Sequence, residues 1–136
     1  MDIRALIKPL SAFAAACFLL GAIAIFADRP VNAVSFSPDG KMIASAAPDS
    51  TVRLWNAITG ELRHTLTGNA RWVNIVAFSP DGKTLVSADD NLNGSDRRIT
   101  IRLWDAMTGE LRHALTGHRE RVRNVSFSPD GKTLAN

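Results

Sequence analysis

Few residues of this 136-residue chain are of types that could do chemistry: three histidines, one cysteine and a short run of acids and amides. His64 and His113 each follow an arginine, at matching places in two similar stretches. A metal needs its ligands converged on one point, so two histidines a whole repeat apart are expected to be exposed side chains, not ligands. His118, in Gly117-His118-Arg119, is the remaining candidate base. A structural role is expected for it instead of proton transfer. Asp89-Asp90-Asn91-Leu92-Asn93-Gly94 has the form of the first half of a calcium loop, D-x-N-x-N-G. Its ninth and twelfth positions are Arg97 and Thr100, where a calcium loop needs a carboxylate at the twelfth. A solvated loop extension is therefore expected. Cys17 is the single cysteine, which excludes an internal disulfide and a cysteine zinc site. It lies inside an apolar stretch and not at its end, so lipid attachment is not expected. There is no G-x-S-x-G, H-E-x-x-H or Walker A pattern. No catalytic, cofactor-binding or metal-binding residue is assigned, and no cofactor is expected.

The elements that position these residues repeat. Phe36-Ser37-Pro38-Asp39-Gly40-Lys41 returns at Phe78 and again at Phe127, with spacings of 42 and 49. Residues 51–69 match residues 100–118 at 14 of 19 positions. The extra seven residues fall in the polar stretch 89–98. Each unit reads as four short strands. Residues 31–36 alternate and are rich in β-branched side chains. Ser-Pro-Asp-Gly makes a tight turn, because proline presets φ and glycine accepts positive φ. Residues 42–45 form a second strand and 51–55 a third, with Val52 and Leu54 on one face and Arg53 and Trp55 on the other. Thr59-Gly60 turns the chain into a fourth strand over 62–66.

On these motifs the sequence closely resembles the WD-repeat β-propeller family, in the wording of its bacterial members. The resemblance rests on Phe-Ser-Pro-Asp-Gly, on residues 51–56 (TVRLWN) and 100–105 (TIRLWD), and on Gly117-His118. It implies an all-β fold: an incomplete β-propeller of four-stranded antiparallel blades, preceded by one N-terminal apolar helix. The expected divisions are a basic flank at 1–9, an apolar segment at 10–27, blade 1 at 28–69, blade 2 at 70–118 with an insertion at 89–98, and a truncated start of blade 3 at 119–136. Propellers usually close with about four to eight blades, so the chain is expected to be part of a longer propeller. A protomer completed by copies is the alternative, with self-association through exposed blade edges.

The resemblance also implies a polar network within each blade, joining a histidine, a serine, an aspartate and the third-strand tryptophan. Ser45, Asp49 and Trp55 represent it in blade 1, Ser87 and Trp104 in blade 2, and His118 in blade 3. No copy is complete in the sequence. Asn69 stands where blade 2 should have histidine, Arg98 aligns with Asp49, and Asn136 takes the serine position of blade 3. A partly lost network is expected. The loops before each first strand face one rim in the family, where partners bind. Arg71, Trp72, Arg119 and Arg121 lie there, and aromatic and arginine residues are the usual anchors of protein interfaces.

The N-terminus is of another kind. Residues 10–27 carry no charge over 18 positions, with Arg4 and Lys8 before them and Asp28 and Arg29 after. As a helix they span about 27 Å, slightly short of a bilayer core. An uncleaved anchor is expected, with the N-terminus cytoplasmic and the repeats outside. A cleaved signal, which would leave a secreted or periplasmic protein, and a buried strand are the alternatives. Residues 28–136 hold 14 basic and 12 acidic side chains. That near balance excludes nucleic acid as an expected partner. The expected function is a non-catalytic protein-interaction scaffold tethered to a membrane. The alternative is the propeller portion of a larger enzyme or signalling protein.

Overall fold

A computed structural model of the chain describes residues 30–69, 72–89 and 99–136. The expected apolar helix and membrane contact at 10–27 lie outside the described residues. Among the described residues no helix is long and apolar enough to cross a membrane. Ten strands follow in order: β1 (Ala33–Phe36), β2 (Met42–Ala46), β3 (Val52–Asn56), β4 (Leu62–Leu66), β5 (Val73–Phe78), β6 (Thr84–Asp89), β7 (Ile99–Asp105), β8 (Leu111–His118), β9 (Ser126–Phe127) and β10 (Leu134–Ala135). They form two four-stranded antiparallel sheets, β1-β2-β3-β4 and β5-β6-β7-β8, and the pair β9-β10.

The turns that fix these registers are the same three times over. Ser37 Oγ donates to Asp39 Oδ1 at 2.6 Å, and that oxygen accepts the Lys41 amide at 3.0 Å. Ser37 Oγ in turn accepts the Met42 amide. Ser79, Asp81 and Lys83 repeat the arrangement, as do Ser128, Asp130 and Lys132. The serine hydroxyl holds each aspartate below the usual carboxylate range, with the lysine amide second. These acids are consumed by the turn.

Most of the core lies between sheets. Ala44, Ala46, Val52, Leu54 and Leu66 of the first sheet bury against Val73, Val76, Leu85 and Trp104 of the second. Val86, Ala88 and Ile101 of the second bury against Val125, with Phe127 and Leu134 packed alongside. A flat sheet with two apolar faces gains little alone, so each repeat is stabilised by its neighbour. The step between sheets is regular. Pro38 lies against Gly82, and Pro80 lies against Gly131 in the same way.

Candidate functional site

The first sheet joins Trp55 to Ser45, its indole Nε1 donating to the hydroxyl at 2.9 Å. Asp49 sits on the turn between β2 and β3. Its Oδ1 accepts from the Thr51 amide and hydroxyl, and its Oδ2 from Arg53 at 2.8 Å. Burial opposes ionisation of Asp49, yet the Thr51 and Arg53 hydrogen bonds hold its carboxyl below the usual range.

The second sheet corrects the expectation of a partly lost network. Trp104 Nε1 donates to Ser87 Oγ at 2.8 Å, and Ser87 donates to Asn69 Oδ1 at 3.2 Å. Asn69 therefore fills the place expected of histidine, because its amide oxygen accepts the same proton. Its Nδ2 reaches back to the Ser50 carbonyl at 3.3 Å, on the preceding sheet's turn. Ser50 is the one non-glycine described residue at positive φ, 67°.

Asp89, not Arg98, is the counterpart of Asp49. It closes β6, so it does not belong to the insertion assigned to 89–98, and residues 90–98 lie outside the described ones. Its Oδ1 accepts the Thr100 amide at 2.9 Å and its Oδ2 accepts Arg102 at 2.6 Å. This repeats the Asp49–Thr51–Arg53 pattern across a longer loop. Asp89 and Arg102 are both buried. Asp89, the first residue of the calcium-like run, is thus held in a buried ion pair, and the rest of that run lies outside the described residues.

In the third unit His118 and Asn136 meet, the amide Nδ2 contacting the imidazole Nε2. They stand 18 residues apart, as do Asn69 and Ser87. Asn136 thus takes the position of the blade serine through an amide. Both residues are exposed.

The paired histidines are not equivalent, which corrects the reading of both as exposed. His64 is half-buried and its Nε2 lies 2.8 Å from the Met107 carbonyl of the second sheet. Its ring also lies over Gly109, where an added Cβ would sit 3.0 Å from His64 Cγ. His113, on the outer strand of the second sheet, is exposed. The same contrast runs along these strands: Leu66 is 1% exposed and its counterpart Leu115 is 44% exposed. A second polar bridge crosses the interface, Asn32 Nδ2 donating to the Val73 carbonyl at 3.1 Å.

Of the expected rim residues, Trp72 is 58% exposed just before β5. Arg119 and Arg121 are exposed in the segment before β9. Arg71 lies outside the described residues. Trp72 and Arg121 occupy equivalent places on successive units. Sequence reasoning missed Asn69, Asp89 and Arg102 as network members and His64 as a bridge. The signal was present for one of them: Asp89 lies two residues after Ser87, on the same strand face.

Comparison with known proteins agrees with this architecture. The family described as WD domain, G-beta repeat matches residues 23–56, 60–105 and 109–135. The Notchless protein homolog of Arabidopsis thaliana is 59% identical over 39 residues, 29% of this chain and 8% of that protein. The probable serine/threonine-protein kinase PkwA of Thermomonospora curvata is 47% identical over 46 residues, 34% of this chain and 6% of that protein. The nuclear distribution protein PAC1 of Yarrowia lipolytica is 42% identical over 45 residues, 33% of this chain and 10% of that protein. The aligned stretches thus span about a tenth or less of these relatives. Three matched repeats, with the four-stranded sheets that carry them, make this chain a member of the WD40 repeat family.

Proposed function

We propose that the chain is a non-catalytic scaffold that binds protein partners through the loops on one rim of its stacked sheets. WD40 repeats generally mediate protein–protein interactions. The observation that carries the reading is the pair Trp72 and Arg121, exposed at equivalent positions on successive units. Exposed indole and guanidinium groups are frequent anchors of protein interfaces. The buried polar network behind the rim fixes the loops without offering a reacting group. Trp72→Ala or Arg121→Ala should weaken capture of a partner at least tenfold, with the circular dichroism and melting midpoint of the chain unchanged. Undiminished capture by both variants would overturn the assignment.

The uncharged run 10–27 is the proposed tether, holding the repeats on the outer side of a bacterial cytoplasmic membrane. This part rests on the sequence. An anchored chain stays in the membrane fraction through alkaline carbonate washing, and release into the wash would refute the tether.

A second reading draws on one relative. PkwA is described as a kinase, so blades of this type can share a protein with a catalytic domain. A kinase or hydrolase domain encoded in frame with these repeats would favour that reading. Further repeats alone would favour the first.

A further inference from the structure

The amide of Asn69 serves both four-stranded sheets. Its Oδ1 accepts from Ser87 of β6 at 3.2 Å and from Arg102 of β7 at 3.4 Å. Its Nδ2 donates to the Ser50 carbonyl, on the β2–β3 turn of the preceding sheet, at 3.3 Å. Arg102 can only donate and a carbonyl can only accept, so one orientation of the amide satisfies both sides. Asn69 is buried, and so is the Asp89–Arg102 ion pair behind it. Ser50 itself stands at positive φ, a conformation that a serine keeps only where its surroundings hold it. Four residues after Asn69, Val73 is buried at the start of β5, and its carbonyl accepts Asn32 Nδ2 at 3.1 Å. Asn32 immediately precedes β1 of the first sheet. Trp72 therefore lies between two residues that are each bonded across the seam to the preceding sheet.

We propose that Asn69 and Asn32 are positioning residues for Trp72. The two amides clamp its loop to the preceding sheet, and the partner-binding surface is shared by two repeats, the indole of one and the 47–50 turn of the other. The inference deepens the scaffold reading and rests on it. Trp72 is 58% exposed, so packing does little to fix it, and its placement comes from the backbone on either side. An anchor held in place before it binds loses less freedom on binding. The residue types fit the task. An amide carries an acceptor and a donor on one carbon, so it can face Ser87 and Arg102 with one atom and a carbonyl of the neighbouring sheet with the other. Aspartate at the same place would keep the first contact and lose the second.

The test uses the full chain labelled with 5-fluorotryptophan, the Trp72 resonance being identified by its loss in Trp72→Phe. Asn69→Asp should shift that resonance toward the position it takes in the unfolded chain. It should also speed amide exchange at Ser50, which bonds to the Ala47 carbonyl within its own turn, at least tenfold. The Trp104 resonance should stay in place, because its bond to Ser87 is untouched. Asn32→Ala should shift the Trp72 resonance in the same direction and leave exchange at Ser50 unchanged. Leu85→Ala, a cavity in the core at the far end of β6 from Asp89, is the control for lost stability alone. Under native conditions it should move neither the Trp72 resonance nor exchange at Ser50. Should Asn69→Asp fail to fold, Asn32→Ala set against Leu85→Ala still decides the matter through the Trp72 resonance. The proposal is overturned if that resonance stays in place in the folded variants of Asn69 and Asn32, or if Leu85→Ala shifts it as far as they do. Unchanged exchange at Ser50 in Asn69→Asp would also overturn it. An unmoved resonance, with partner capture still sensitive to Trp72→Ala, would remove the clamp and leave the scaffold reading standing. The expected shifts, with capture indifferent to Trp72→Ala, would keep the clamp and remove that reading.

Discussion

Single residues in this chain come with their own controls, because the repeats place near-identical side chains in different surroundings. Asp49 with Arg53 and Asp89 with Arg102 form the same ion pair, half-buried in one sheet and buried in the next. Removing one partner of a buried pair strands the other charge, at a cost of about 3–5 kcal/mol, and the cost falls toward the about 0–1 kcal/mol of a surface pair as solvent reaches it. Arg102→Ala should therefore lower the denaturant midpoint well beyond Arg53→Ala. Equal losses would mean that burial does not set the value of the pair. A second control concerns pH. Asn56 and Asp105 cap the same turn, each side-chain oxygen accepting two amides. Hydrogen bonds from Thr108, Arg112 and Met107 hold the Asp105 carboxyl down at about 2, from an ordinary 3.8. A depressed folded-state value stabilises above pH 3.8 and loses that stabilisation as pH falls toward 2. Protection of the Met107 and Thr108 amides, taken relative to the intrinsic exchange rate at each pH, should fall across that window, and that of Ile58 and Thr59 should not. Asp105→Asn should abolish the difference.

At the level of the strand and its turn, the blade pattern was legible in the sequence, and the contacts between blades were not. Alternation, Ser-Pro-Asp-Gly and the recurring tryptophan give the strands, since strand period and turn chemistry agree. In the first unit each strand lies within about two residues of its expected range, the usual slack at element ends. Register across a loop of changed length was not legible. Carrying a fixed 49-residue offset past Ser87 set Arg98 against Asp49, whereas β6 ends on Asp89 and supplies the acid itself. Nor could periodicity show that His64 reaches the next sheet, because that contact joins residues 43 apart. The asymmetry yields a test. His64→Ala removes the bridge to Met107 and the ring over Gly109, and should lower stability by about 1–2 kcal/mol, a lost hydrogen bond plus lost packing. His113→Ala, on an exposed strand, should stay within about 0.5 kcal/mol. Gly109→Ala combines positive φ with a clash against the His64 ring, so beside His64→Ala the clash share of its cost should vanish while the backbone strain remains. Fully additive losses would show that ring and turn do not touch.

For the molecule as a whole, stability resides largely in the seams between repeats, as in a chain of nearest-neighbour units. Equivalent residues differ in exposure from sheet to sheet. Val34 is 51% exposed on the first sheet, while its counterpart Val76 is 7% exposed against that sheet's other face. Leu115 is open where Leu66 is enclosed by the following sheet. Leu66→Ala should cost about 2–5 kcal/mol, the transfer energy plus the cavity left behind. Leu115→Ala should cost under about 0.5 kcal/mol in the same denaturation experiment. The pair therefore gauges whether anything covers the last seam. If the chain is measured where a further blade or partner encloses Leu115, the two costs should converge, because Leu115 then loses the same contacts as Leu66. Convergence in the purified chain at low micromolar concentration, where sedimentation shows a monomer, would contradict an open final face. Divergence that persists at every concentration would show that copies of this chain do not close the seam for one another.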